Sequence, residues 1–235
     1  MKKILFFALI LIGVQSTQQL QAQKTRNHMA YSIGGSYMYG NNTGDFSTFT
    51  FTPSIVGGIT YNRQLSERMD FRVNAFGQHI NSGGHDRLGI WRTRQWEAMG
   101  LPFDFRGFGL GGDIMPTYNF HPNKAGQVGS SLNVYMGLGV GFLNVWRVEQ
   151  LQIENTIVKR NASTAAAYIP FRIGVNTNFD FEWDYAIELG LLTSTSDLLD
   201  GNDFGNKSLP VDMLVQLQFK VIRYIGVANR KASSR

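Results

Sequence analysis

Seven ionisable residues sit at alternate positions inside otherwise apolar stretches of this 235-residue chain: Asp70, Arg72, Asp113, Arg172, Glu188, Asp212 and Lys220. Both signs are present, as an enclosed network requires, because an unpaired buried charge costs several kcal/mol. Such a set can serve as a proton or ion route, or as a structural plug. Other chemistry-bearing patterns are weaker. His28, His79, His85 and His121 lack metal-ligand spacing, so no metal is expected. Gly107-Phe108-Gly109-Leu110-Gly111-Gly112 satisfies G-x-G-x-x-G as a string, yet it lies within a strand pattern with no helix opening on it. Ser82, His85 and Asp86 share a polar stretch, but a catalytic triad is defined by geometry and not by nearness in sequence. Asp197, Asp200, Asn202 and Asp203 depart from the calcium-loop spacing and read as a solvated turn. No catalytic residue and no cofactor are expected.

The elements that must position the seven charges follow period 2. Val211, Met213, Val215, Leu217, Phe219 and Val221 are apolar, while Asp212, Gln216, Gln218 and Lys220 interleave with them. Tyr185, Ile187, Leu189 and Leu191 alternate with Asp184, Ala186, Glu188 and Gly190. Six further strands are predicted: Met29 to Tyr39, Ile55 to Gln64, Met69 to Gln78, Phe103 to Phe120, Leu132 to Trp146, and Ile169 to Phe179. Pro116 removes a ladder donor and is expected at a strand end or bulge. Segments 40–53, 82–102, 147–163 and 194–208 read as long polar loops, and tight turns fall near Ser66, Asn123 and Glu182. Connections therefore alternate long and short along the chain.

Composition sets bounds on these elements. Met1-Lys2-Lys3 followed by an apolar run from Ile4 to Val14 reads as a secretory leader, with cleavage after Ala22. Residues 1–22 are then a signal peptide, 23–226 a barrel and 227–235 a basic tail. The chain has no cysteine, which excludes disulfides, thiolate metal sites and an acylated-cysteine anchor. Its net charge of +5 falls to about +3 once Lys2 and Lys3 leave with the leader, giving no reason to invoke nucleic acid.

Alternating strands, even in number, with long loops at one end and tight turns at the other, are the pattern of outer-membrane barrels. A bilayer accepts no open sheet edge, so the strands must close. The expected fold is all-β: an eight-stranded antiparallel up-and-down transmembrane β-barrel with a filled polar lumen. Gly109, Gly111, Gly137, Gly139 and Gly141 then give the long arginines room to cross. Aromatic girdles are expected from Tyr118, Phe120, Phe179, Trp183, Tyr185 and Tyr224 at one end, and from Tyr37, Tyr39, Phe142 and Trp146 at the other. The expected site is the outer membrane, with both termini in the periplasm. Two alternatives stay open: a barrel enzyme with chemistry in its loops, and a soluble lipocalin-like barrel in which the apolar face points inward.

Several segments carry a resemblance. Trp183-Asp184-Tyr185-Ala186-Ile187-Glu188-Leu189-Gly190 with Thr193 to Gly201 resembles the "W…lElG…tDYLDD" segment of PorG-like outer-membrane β-barrels, the family of a type IX secretion component. Gly58 to Asn62 with Arg72, Tyr118-Asn119-Phe120, Tyr135 to Phe142, and Ile169 to Val175 fit in order. Leu198, Gly201 and Asp113 depart from the family pattern, where tyrosine, aspartate and glutamate stand. The resemblance implies a non-enzymatic barrel in outer-membrane lipid, whose periplasmic side meets lipoprotein-containing ring proteins of the secretion machine. Arg68, Lys124, Arg230 and Lys231 lie on that side and are the expected contact surface.

Overall fold

The computed structural model describes residues 27–41, 52–82, 96–122, 132–154, 156–177, 182–202 and 211–225. The strands are β1 (His28–Tyr39), β2 (Ser54–Gln64), β3 (Met69–Asn81), β4 (Asp104–Asn119), β5 (Asn133–Leu138), β6 (Val140–Ile153), β7 (Thr156–Asn176), β8 (Trp183–Ser194) and β9 (Met213–Tyr224). One helical turn, residues 96–99, precedes β4. Every pairing is antiparallel, and the order runs β3-β2-β1-β9-β8-β7, then through β5 and β6 to β4. β4 pairs with β3, so the sheet closes on itself as a barrel. The wall is a ring of eight, because β5 and β6 are two halves of one strand.

The break between those halves has a chemical cause. Register against β7 is unchanged across it, from Leu138↔Phe171 to Gly141↔Tyr168. Pro170 has no N–H to offer there, and Gly139 donates to its carbonyl at 3.1 Å. Pro116 lies at the same break from the β4 side, between Ile114↔Val140 and Thr117↔Gly137. It is therefore accommodated by a lapse in the ladder inside a continuous β4, and not by a strand end or a bulge.

Side chains divide by parity. Ile33, Leu110, Val140, Ile187 and Leu217 (57% exposed) lie outside, while Arg72, Asp113, Arg172, Glu188 and Lys220 are buried inside. From Tyr118 to Phe108 on β4, at the usual rise and a barrel tilt near 40°, the apolar belt stands about 25 Å tall. Tyr118, Phe120, Trp183 and Tyr185 are exposed at the end carrying the tight turns, and Phe108, Phe142 and Trp146 toward the other. Three expected girdle residues are elsewhere. Tyr224 turns inward, where its hydroxyl donates to Asp184 at 3.3 Å. Tyr37 and Tyr39 are buried at the long-loop end. Phe179 lies outside the described residues.

Segment 147–163, expected as a polar loop, is a correction. β6 and β7 continue as a paired ribbon from Arg147↔Ala162 to Ile153↔Thr156, beyond the end of β8 on one side and accompanied by β4 as far as Gln150 on the other. Glu154 turns it with φ 47°. Its β7 half, Thr156 to Asn161, is exposed on both faces and so lacks the alternation that marks the wall, while its β6 half keeps Arg147, Glu149 and Leu151 buried.

Candidate functional site

The lumen is filled in layers. Its middle is built on Glu188 of β8, whose alternate neighbours Ala186 and Gly190 leave room around the carboxylate. Arg72 of β3 reaches across the barrel to Glu188 Oε2 at 2.5 Å. Lys220 of β9 meets Oε1 at 2.7 Å, and Arg172 of β7 meets the same oxygen at 3.3 Å. Tyr135 donates its hydroxyl to Oε2 at 2.8 Å. Arg172 also bonds Asp113 Oδ2 at 2.9 Å, and Tyr168 and Asn74 donate to the same oxygen at 2.9 and 3.2 Å. Three cations thus share two carboxylates in a space from which solvent is excluded.

Rings complete the layer. The Arg72 guanidinium stacks over Tyr135 at 4.8 Å and that of Arg172 lies over Phe76 at 6.0 Å, which lets the ring faces take up part of the cationic excess. Of the five glycines expected to make room for arginines, Gly111 and Gly141 lie against rings, Gly109 against Leu143, and Gly137 and Gly139 against Met115 and the β4 backbone. A Cβ on Gly141 would meet the Tyr168 ring at 2.3 Å, one on Gly174 the Tyr135 ring at 2.4 Å, and one on Gly111 the Phe76 ring at 2.6 Å. A Cβ on Gly190 would press on the Arg172 guanidinium at 3.1 Å, and at the rim one on Gly201 would press on that of Arg147 at 3.0 Å. At Gly141, Gly174 and Gly111 it is the far end of the ring, around Cζ, that abuts the backbone where a Cβ would stand.

Apolar clusters cover the ionic layer on either side. Toward the long loops lie Met38, Val56, Phe76, Ile80, Phe105 and Leu143 with their neighbours. Toward the tight turns lie Ala30, Tyr135, Ala186, Ile222 and Tyr224. Side-chain amides continue the polar filling, with Gln216 donating to Gln78 at 2.7 Å and Gln218 to Gln216 at 3.2 Å. A water column is therefore interrupted at several heights.

Two of the seven charges stand apart from this layer. Asp70, at the tight-turn end, accepts from Asn119 at 2.8 Å. Asp212 lies just below the long-loop rim and accepts the Leu199 backbone N–H at 2.7 Å, holding segment 195–202 over the opening. There Asp200 and Asn202 are fully buried and not a solvated turn: Asp200 accepts the N–H of Asn202 at 2.9 Å, and Asn41 donates to the Asn202 carbonyl at 2.6 Å. Asp203 lies outside the described residues. Ser82 donates to Asp104 and accepts from the Phe105 N–H, so it ties the start of β4 to the end of β3. His85 and Asp86 lie outside the described residues.

A second ionic cluster went unforeseen. Glu149 of β6 bridges Arg147 at 2.7 Å and Arg160 of β7 at 2.7 Å. Gly201, with φ 87°, passes so close that a Cβ would stand 2.3 Å from the Glu149 carboxylate. The signal was the spacing of Arg147 and Glu149, two apart and hence on one face of a strand. Of the expected periplasmic contacts, Arg68 is exposed in the β2–β3 turn and donates to the Tyr118 hydroxyl at 3.0 Å. Lys124, Arg230 and Lys231 lie outside the described residues, as do 1–26 and 226–235.

No protein-family model and no curated protein matches the chain. Among solved structures, Neisserial surface protein A is similar at 10% identity and TM-score 0.49, covering 85% of this chain and 97% of that one. The N-terminal β-barrel domain of Pseudomonas aeruginosa OprF gives 10% and 0.44, with 85% and 99% covered. Ail, the attachment invasion locus protein of Yersinia pestis, in complex with the heparin analogue sucrose octasulfate, gives 9% and 0.44, with 85% and 98% covered. Likeness at this level carries no argument of its own. The fold class rests on the closed strand pairing: an eight-stranded antiparallel barrel with an apolar outer belt and charges within.

Proposed function

We propose that this chain is a non-enzymatic outer-membrane β-barrel that anchors a protein-secretion complex of the type IX kind. The observation that carries the membrane half of this reading is the inverted polarity of the wall. Phe219 is 46% exposed and Leu217 more so, whereas Arg172 and Glu188 are each 1% exposed. Water around such a belt is unfavourable by roughly 25 cal/mol for each Å² of apolar surface, and lipid removes that cost. The same orientation runs against a soluble lipocalin-like barrel, which needs its apolar face inside. The filled lumen favours an anchor over a pore.

The secretion half rests on the ordered resemblance to PorG-like barrels. In that arrangement the tight turns and both termini face the periplasm, and Arg68, Lys124, Arg230 and Lys231 present a cationic surface to the ring lipoprotein. Fractionation tests the first half: a heat-modifiable band in the outer-membrane fraction is expected, and recovery in the soluble fraction would end the reading. Co-purification from detergent-solubilised membranes tests the second. Ring lipoprotein is expected with the full chain and depleted with a variant lacking 228–235; undiminished capture would remove the tail from the contact.

A further inference from the structure

Among the described residues, the ribbon formed by β6 and β7 has one edge occupied and one unpaired. On the β6 side, β4 pairs as far as Asp104↔Gln150, and Phe103 N donates to the Gln150 carbonyl at 3.0 Å. On the β7 side, β8 pairs no farther than Tyr168↔Ser194. Beyond it, Thr195 reaches the Ala167 carbonyl and the Thr164 hydroxyl donates to Leu198, and there the cover stops. From Thr156 to Ser163, no other described residue hydrogen-bonds to the outer edge of β7. In an antiparallel ladder every second residue turns its N–H and C=O away from its partner. About half the residues of this eight-residue stretch therefore aim a donor and an acceptor away from β6, where no described residue meets them.

The side chains along that edge are arranged for a guest strand. Thr156 to Asn161 are all exposed, with Ile157 at 50% and Val158 at 41% on opposite faces. Lys159 and Arg160 stand at the centre of the stretch. Arg160 shares the Glu149 carboxylate with buried Arg147, so with Lys159 set against Glu154 the ribbon keeps a net charge of one positive.

We propose that this edge of β7 receives an extended acidic segment of another protein by strand addition. Main-chain hydrogen bonds supply the affinity, and the two cations choose the guest. A second copy of this chain is a poor occupant. Two β7 edges aligned antiparallel over Thr156 to Ser163 would set Lys159 opposite Arg160 twice, and like charges directly opposed destabilise a strand pair. Carboxylates in those two positions turn the same contacts attractive. The inference stands on the barrel geometry alone, so its failure would leave the secretion reading untouched.

The test uses the full chain in lipid nanodiscs and a capped eight-residue peptide of Val and Thr with two adjacent Glu at its centre. Hydrogen exchange is expected to slow over Thr156 to Ser163 on adding the peptide, and not elsewhere in the wall. A peptide with Lys in place of both Glu is expected to bind at least tenfold more weakly, and Lys159→Glu to narrow or invert that preference. The exposed position of Lys159 leaves the fold intact, which an unchanged heat-modifiable shift will show. Absence of protection, protection at another strand, or a preference indifferent to Lys159→Glu would overturn the proposal. So would self-association of the unliganded chain that protects the same stretch, since a second copy would then be the occupant.

Discussion

Glu188 and Glu149 are nearly matched carboxylates in very different settings. Each side chain is 1% exposed and each bridges two arginines. Around Glu188 every partner is buried as well: Arg72, Arg172, Lys220 and Tyr135. Around Glu149 one partner, Arg160, is 55% exposed, and the carboxylate is tucked beneath Gly201 at the base of a projecting ribbon. The first cluster joins opposite walls of the barrel, since Arg72 and Glu188 are 116 residues apart in sequence. The second joins two strands of one hairpin. A carboxylate that ties distant walls sets the shape of the lumen; one that ties a hairpin trims a surface. The same chemistry therefore carries unequal weight, and solvent access and connectivity decide how much.

The largest expected effect is that of Glu188→Ala. It removes the carboxylate that Arg72, Arg172 and Lys220 share, and stripping one partner from a buried charge network costs about 3–5 kcal/mol. Urea unfolding of the vesicle-embedded barrel, followed by tryptophan fluorescence, should show a midpoint far below that of the parent. An unchanged midpoint would mean that the two glutamates are equivalent after all. Gly174→Val comes next: the new methyl groups meet the Tyr135 ring and the Ile187 carbonyl, an overpacking worth about 1–3 kcal/mol. The same urea series measures it, and a neutral outcome would show that Tyr135 can swing aside.

Tyr135→Phe keeps the ring over Arg72 and removes only the hydroxyl that donates to Glu188. A hydrogen bond to a charged acceptor contributes about 1.5 kcal/mol or somewhat more, so a modest loss is expected. A loss as large as that of Glu188→Ala would place the weight of the layer on the tyrosine. Smallest is Arg160→Ala, because Arg147 still holds Glu149 and the exposed partner is screened by water and salt; the change should stay below about 1 kcal/mol. Raising sodium chloride toward 1 M should erase even that difference while leaving the Glu188→Ala deficit in place. A salt-resistant effect at Arg160 would erase the contrast between the two clusters.

Much of the wall could be read from the chain because period 2 is a local property. Val215, Leu217 and Phe219 against Gln216, Gln218 and Lys220 declare two faces without reference to any other strand, and the structure puts them on opposite sides of the sheet. The ribbon beyond the rim escaped for the converse reason. From Thr156 to Ala167 both faces are wetted or lined with small residues, so strand and loop look alike in sequence. Pairing with β6 is what extends it. Tyr37, Tyr39 and Tyr224 misled because an aromatic near a strand end fits a girdle or a plug equally well until its neighbours are in place.

By itself the sequence determined that this chain forms an even set of alternating strands, that charges of both signs share one face, and that the other face is greasy. Each follows from residue order along a single strand, where side-chain direction is fixed by the pleat. Only the tertiary structure decided which charges meet. Closure brings β3, β7, β8 and β9 around one carboxylate, sends Asp70 and Asp212 to opposite ends, and leaves one edge of β7 unpaired among the described residues above the rim. Those outcomes depend on register and closure among strands more than a hundred residues apart, and no local pattern encodes them.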